Sequence, residues 1–153
     1  MRVDIRPAIY SDLPELAAIK LMARGESAEE GTVRFENEKQ YLTAFLNERQ
    51  SVFVQLIDKQ PIAFCSVREG SVKPFVGFAY IKDMYVSPEW QSKGYGKKLL
   101  MHALRTKRGE GYMRAVLDCA EDNVGARRFY EKFGFEKRGT GSSNGYVTYT
   151  IDF

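Results

Sequence analysis

Gly94 and Gly96 stand just ahead of an apolar-periodic run, within the stretch Tyr80 to Lys98, YIKDMYVSPEWQSKGYGKK. The stretch reads as an apolar strand, a turn, a short glycine-rich loop and the first residues of a helix. Such an order of parts builds a site for phosphate. Backbone N–H groups in a helix's first turn have no partner inside the helix, and the helix dipole favours negative charge there. Glycine removes the Cβ that would hold a ligand off the backbone. The stretch is therefore a candidate pyrophosphate site, in which Lys93, Lys97 and Lys98 could add charge. For any one of the three lysines, a solvated helix face is an equal reading. KGYGKK also ends like a nucleoside-triphosphate loop, but that loop needs G-x-x-x-x-G-K-S/T. Here position 91 is Gln, and Lys98 stands where the hydroxyl belongs.

Few other residues offer chemistry. The single histidine, His102, removes most metal-site and Ser/His/Asp arrangements, and it falls mid-helix, off the apolar stripe, as a surface residue would. Cys65 and Cys119 lie in apolar runs and read as reduced, buried thiols. No second histidine is present to activate Cys119 as a nucleophile. No metal site is expected.

The elements that must position these residues follow from the pattern of the chain. Its 153 residues, 44% hydrophobic and 28% charged, suit one soluble domain covering 1–153. A net charge of +3 is too small to argue for nucleic acid, and it suits an anionic cofactor. No apolar run approaches the ~18 residues that cross a bilayer. The start, MRVDIRPA, lacks an apolar signal region. The expectation is a cytoplasmic protein without a membrane or nucleic-acid partner.

Val3 and Ile5 mark a first strand that stops near Pro7. Asp12 and Glu15 have capping-box spacing, and Leu13, Leu16, Ile19 and Ala23 line one face of a first helix ended by Gly25. A second helix covers about Phe35 to Asn47. SVFVQLID and PIAFCSVRE read as a hairpin turning at Asp58-Lys59-Gln60-Pro61. FVGFAYIKDMYV is the next strand. Leu99, Leu100, Ala103 and Leu104 form the stripe of the helix that starts near Gly94, and RAVLDC reads as a strand buried on both faces. Asn123 can cap a last helix carrying Ala126, Phe129, Tyr130 and Phe133, with Gly134 at its C-terminal end. Phe135 to Thr140 and Tyr146 to Phe153 form a final hairpin. The order is β-α-α-β-β-β-α-β-α-β-β, an α/β mixed sheet with helices on both faces.

This order, together with two motifs, resembles the GCN5-related N-acetyltransferase family. Gln91-Ser92-Lys93-Gly94-Tyr95-Gly96 matches that family's pyrophosphate loop, Q/R-x-x-G-x-G/A, and follows MYVSPEW, similar to the ending of its fourth strand. NVGARRFYEKFGF, Asn123 to Phe135, looks like its second cofactor motif. The resemblance covers nearly the whole chain.

It implies acetyl-CoA as cosubstrate and direct transfer of its acetyl group to a primary amine. Backbone groups of Met84, Tyr85 and Val86 would pair with the pantetheine arm, and one of their N–H groups would polarise the acetyl carbonyl. Gln91, Ser92, Lys93, Gly94, Tyr95 and Gly96, with the N–H of Lys97, would cradle the pyrophosphate. Asn123 would bind the pantetheine or the substrate side. Tyr130 sits at the family's tyrosine position, where the phenol bonds the CoA sulfur and serves as general acid. By helical spacing alone, Tyr130 is a core aromatic. Asp83 is the carboxylate nearest the family's strand-four base, and a solvent-facing strand-end Asp is the alternative. Glu26, Glu29 and Glu30 lie where relatives bind acceptor, and could attract a cationic amine or form a solvated loop. The acceptor is expected to be a small-molecule amine. A protein N-terminus or lysine, or a non-catalytic acetyl-CoA sensor, are the other readings. Dimers are common in the family, so a homodimer is compatible.

Overall fold

The computed structural model describes residues 1–70, 77–139 and 144–153. Two compact units divide the chain: Met1–Arg68 with Asp83–Ala103, and Glu69–Lys82 with Leu104–Phe153.

In the first unit, strand β1 (Val3–Pro7) pairs antiparallel with β2 (Ser51–Ile57), from Val3 opposite Ile57 to Pro7 opposite Phe53. β2 pairs antiparallel with β3 (Gln60–Glu69). Their turn is tighter than the four residues expected. Asp58 and Lys59 alone make it, at φ 47° and 71°, the left-handed pair that a two-residue hairpin requires. Asp58 is held there from both sides: the Arg2 N–H donates to its Oδ1 at 2.7 Å, and its own N–H donates to the Arg2 carbonyl at 2.8 Å. Gln60 and Pro61 belong to β3. Proline has no N–H for the ladder, and the register shifts between Gln55 and Leu56, which leaves Leu56 opposite Pro61.

Helices α1 (Leu13–Ala23) and α2 (Val33–Asn47) pack on this sheet. Leu13, Leu16 and Ile19 meet Leu42, Phe45, Val52, Val54, Leu56 and Phe64 in one buried core. Each such side chain contributes about 1.5–3 kcal/mol by leaving water. Asp12 differs from the expected capping box: its carboxylate accepts from the Ile9 N–H at 2.8 Å and from Arg6 at 2.7 and 3.0 Å, stabilising a 3-10 turn ahead of α1. Thr32 caps α2 through the Phe35 N–H.

Strand β4 (Ala79–Val86) and helix α3 (Tyr95–Gly109) each contribute to both units. The Ser87 N–H donates to the Ile62 carbonyl at 2.7 Å and fixes the end of β4 on β3. His102 is half-buried with its ring edge-on to Phe53, centroids 5.5 Å apart, rather than on the surface.

In the second unit β4 is parallel to β5 (Arg114–Ala120), with Ala79 opposite Ala115 and Tyr80 opposite Val116. β5 pairs antiparallel with β7 (Tyr146–Asp152), and β7 with β6 (Glu136–Lys137). β6 is shorter than the expected Phe135–Thr140, and residues 140–143 of the final loop lie outside the described ones. β5 is buried at Ala115, Val116, Leu117 and Cys119, while Asp118 is exposed and accepts from the Tyr80 and Thr148 hydroxyls. Helix α4 (Val124–Phe133) ends at Gly134, φ 125°. The Tyr149 hydroxyl ties α4 to β7, accepting from Arg127 Nε at 3.1 Å and donating to Glu131 at 3.0 Å. The hydrogen-bonded order is β1-β2-β3-β4 in the first unit and β4-β5-β7-β6 in the second, a mixed sheet of seven strands.

Candidate active site

The loop before α3 is fixed from both ends. Gln91 Nε2 donates to the Val86 carbonyl at 2.9 Å, which ties the loop to the last residue of β4. Trp90 and Tyr95 pack edge-to-face, with centroids 5.7 Å apart. Tyr95 is buried and opens α3, so the ring pair sets where the helix starts. Of the two glycines, Gly94 is the one whose conformation demands glycine: φ is +88°, and nothing lies within 4 Å of where a Cβ would stand. Ser92 also has positive φ, 61°. Gly96 lies in the first turn of α3. Lys93 Nζ is 5.2 Å from the Trp90 ring and Lys98 Nζ 5.9 Å from the Tyr95 ring, while Lys97 is exposed. Open space over Gly94, a helix N-terminus and three cations are a donor set that fits an anionic pyrophosphate.

Asp83 faces inward. It shares the alternation of Ala79 and Ile81 and is 4% exposed. Lys20 Nζ donates to its Oδ1 at 3.0 Å, and the hydroxyls of Tyr41, at 2.9 Å, and Ser66 both donate to its Oδ2. Lys20, from α1, also lies 2.8 Å from Glu38 Oε2 of α2, an ion pair without hydrogen-bond geometry. Arg34 Nη1 lies 3.5 Å from the other Glu38 oxygen. Burial pulls the Lys20 ammonium toward deprotonation, but Asp83 and Glu38 more than offset it, and its pKa stands above the ordinary lysine value. Burial, then the Asp83 charge, push the Tyr41 phenol up. Both groups therefore keep their protons at neutral pH. This buried cluster was missed in the sequence. Its one local signal is Lys20 itself, four residues after Leu16 and seven after Leu13, on the apolar face of α1.

Glu26 is not an open carboxylate either. It pairs with Arg24 at 2.8 Å and with Arg34 at 3.1 Å. Tyr85 first, and then Glu26, hold the Arg24 guanidinium above the ordinary arginine value. Met84, Tyr85 and Val86 are half-buried at the end of β4.

Asn123 and Tyr130 belong to the second unit. Asn123 Oδ1 accepts the Ala126 N–H at 3.1 Å, so the side chain caps α4. Tyr130 is half-buried between Phe129 and Phe135, with centroids at 5.2 and 5.6 Å. Cys65 and Cys119 are buried and form no disulfide among the described residues, and burial raises the Cys119 pKa. No described helix is long and apolar enough to cross a membrane.

A glycine-bearing loop between a strand and a helix, on a mixed seven-stranded sheet, defines the class. The model of the acetyltransferase (GNAT) family matches residues 15–135, and the chain belongs to that family. It is similar to the glucosamine 6-phosphate N-acetyltransferase of Trypanosoma brucei brucei, 36% identical over 56 residues, 37% of this chain and 36% of that protein. It is also similar to the tRNA uridine(34) acetyltransferase of Methanocaldococcus jannaschii, 31% identical over 134 residues, 83% of this chain and 23% of that protein. The chain thus spans about a third and a quarter of the length of these two relatives. The PaiA N-acetyltransferase of Thermoplasma acidophilum, crystallised with coenzyme A, shares the fold: TM-score 0.78 at 21% identity, covering 100% of both chains.

Proposed function

We propose that this protein moves the acetyl group of acetyl-CoA to a primary amine of a small molecule. The observation that carries the reading is the loop at the start of α3, pinned by Gln91 and open over Gly94. The likeness to glucosamine 6-phosphate N-acetyltransferases supports a small amine as acceptor.

Bound acetyl-CoA supplies a thioester: the amine nitrogen forms a bond to its carbonyl carbon, and the C–S bond breaks. The attacking amine must be neutral, and a free alkylammonium has a pKa near ~10.4. Gln91 to Lys97 hold the pyrophosphate with main-chain N–H groups. A main-chain N–H among Met84, Tyr85 and Val86 polarises the carbonyl oxygen where negative charge develops. Asn123 borders the pantetheine. Tyr130, assigned on the Phe-Tyr…Gly-Phe motif, gives its phenolic proton to the leaving sulfur. The proton lost by the new amide nitrogen passes to water and the phenol is reprotonated from solvent. The three donors already on Asp83 support a positioning role over the base role assigned to it from sequence.

Acetyl-CoA should raise the melting temperature, and free CoA should compete with it. Gly94→Val should abolish both effects. No shift from either compound at about millimolar concentration would sink the cofactor assignment. A screen of amino sugars, polyamines, amino acids and peptide N-termini for CoA thiol release then identifies the acceptor.

A further inference from the structure

The ammonium of Lys20 lies in surroundings built for a primary amine. Asp83 Oδ1 stands 3.0 Å from Nζ and Glu38 Oε2 2.8 Å. The ring centroids of Tyr41 and Tyr85 stand at 4.6 and 5.7 Å. Asp83 supplies a charge-assisted acceptor and Glu38 a second negative charge, and two π faces attract the cation where carboxylates do not reach. Asp83 is 4% exposed and Glu38 8%, so water does little of this work. The Glu38 oxygen facing Nζ is held to it by charge and accepts no hydrogen bond. Around it, Ser66 and Tyr41 donate to Asp83, and Arg34 faces Glu38.

We propose that Lys20 is a specificity-determining residue: its ammonium plugs an ammonium-binding cage of Asp83, Glu38, Tyr41 and Tyr85, and so keeps cationic acceptors such as di- and polyamines off Asp83. The word acceptor rests on the acetyl transfer proposed above; the cage does not. Held between two carboxylates, the Lys20 ammonium keeps its proton and is no nucleophile itself. Shortening the side chain vacates a place of defined shape. Lys20→Ala removes Cγ, Cδ, Cε and Nζ, the same heavy atoms as n-propylammonium.

The test is stability of Lys20→Ala against n-propylammonium, with 1-propanol as the uncharged analogue. Wild type and Lys20→Met, in which the cage is already filled, are the reference proteins. The melting temperature of Lys20→Ala should rise with the logarithm of n-propylammonium concentration, as for any ligand of the native state. Propanol should not reproduce the rise, and neither reference protein should show it. Equal shifts in all three proteins, equal shifts with propanol, or no shift at all would overturn the proposal. If Lys20→Ala does not fold unaided, the readout is its refolding from urea: recovery in n-propylammonium but not propanol supports the cage, and recovery in neither or both refutes it. The acetyl-CoA shift, measured on wild type, separates the two readings. Its absence beside a propylammonium response removes the acetyltransferase reading and leaves the cage. In the transfer assay, Lys20→Ala should gain turnover on diamines relative to wild type; a loss or no change refutes the specificity role.

Discussion

Two hydroxyls, from Tyr41 and Ser66, converge on one oxygen of Asp83. Tyr41→Phe removes one O–H while leaving the ring edge-on to Phe45 at 5.1 Å and under Lys20. Ser66→Ala removes the other. A hydrogen bond to a charged group contributes about 1.5–3 kcal/mol. Tyr41 is half-buried, so water can partly replace its proton and the cost belongs at the low end, about 1.5 kcal/mol. Ser66 is fully buried, which places it near about 3 kcal/mol. For a chain of this size each kcal/mol moves the melting temperature by about 2–4 °C, so the two losses are about 3–6 and 6–12 °C. The double variant leaves a buried carboxylate oxygen with no donor. The second deletion should therefore cost more than the first, with a coupling of about 0.5–3 kcal/mol. Urea unfolding of the four proteins measures it, with the midpoint moving and the slope constant. Additivity within about 0.3–0.5 kcal/mol would refute the convergence of the two hydroxyls on one acceptor.

Tyr130→Phe should lower turnover by about 10²–10⁴-fold, the usual contribution of a positioned acid, while the acetyl-CoA melting shift persists; unchanged turnover removes Tyr130 from the chemistry. Asp12 sets an acid limit on stability. Burial pushes its carboxyl up, but Arg6 and the Ile9 N–H more than offset this, and the folded pKa lies below the ordinary 3.8. A group depressed on folding stabilises fully above its unfolded pKa, and that contribution disappears as pH falls through the folded value. Urea midpoints of wild type should therefore fall faster than those of Asp12→Asn below about pH 4, and parallel curves would exclude the mechanism.

The element order, the loop at Gly94 and the cap at Asn123 were legible in the sequence because each depends on neighbours a few residues away. Periodicity placed α2 within two residues of its observed start. The surroundings of Asp83 were not legible. Its partners come from 17, 42 and 63 residues away, on β3, α2 and α1, and no local pattern says that a strand carboxylate meets a helix lysine. The same distance effect hid Glu26, whose acidic loop context suggested an open carboxylate, whereas Arg34 returns to it from the start of α2. Pro61 misled for the opposite reason. Its local turn preference was outweighed by a register shift in the facing strand.

From Lys20 the opposite charges continue outward through Glu38, Arg34, Glu26 and Arg24, at 2.8, 3.5, 3.1 and 2.8 Å. The Lys20 and Glu38 side chains are 11% exposed, while those of Arg34 and Arg24 are 48% and 49% exposed. Dissolved ions screen charges over about 8 Å at physiological strength, and they act on exposed pairs far more than on buried ones. Ionic strength thus grades the series: its outer links weaken in salt and its inner ones persist. The connection between α1 and α2 is fastened by the outer links, so its anchoring follows the salt around the protein while the cage beneath it does not.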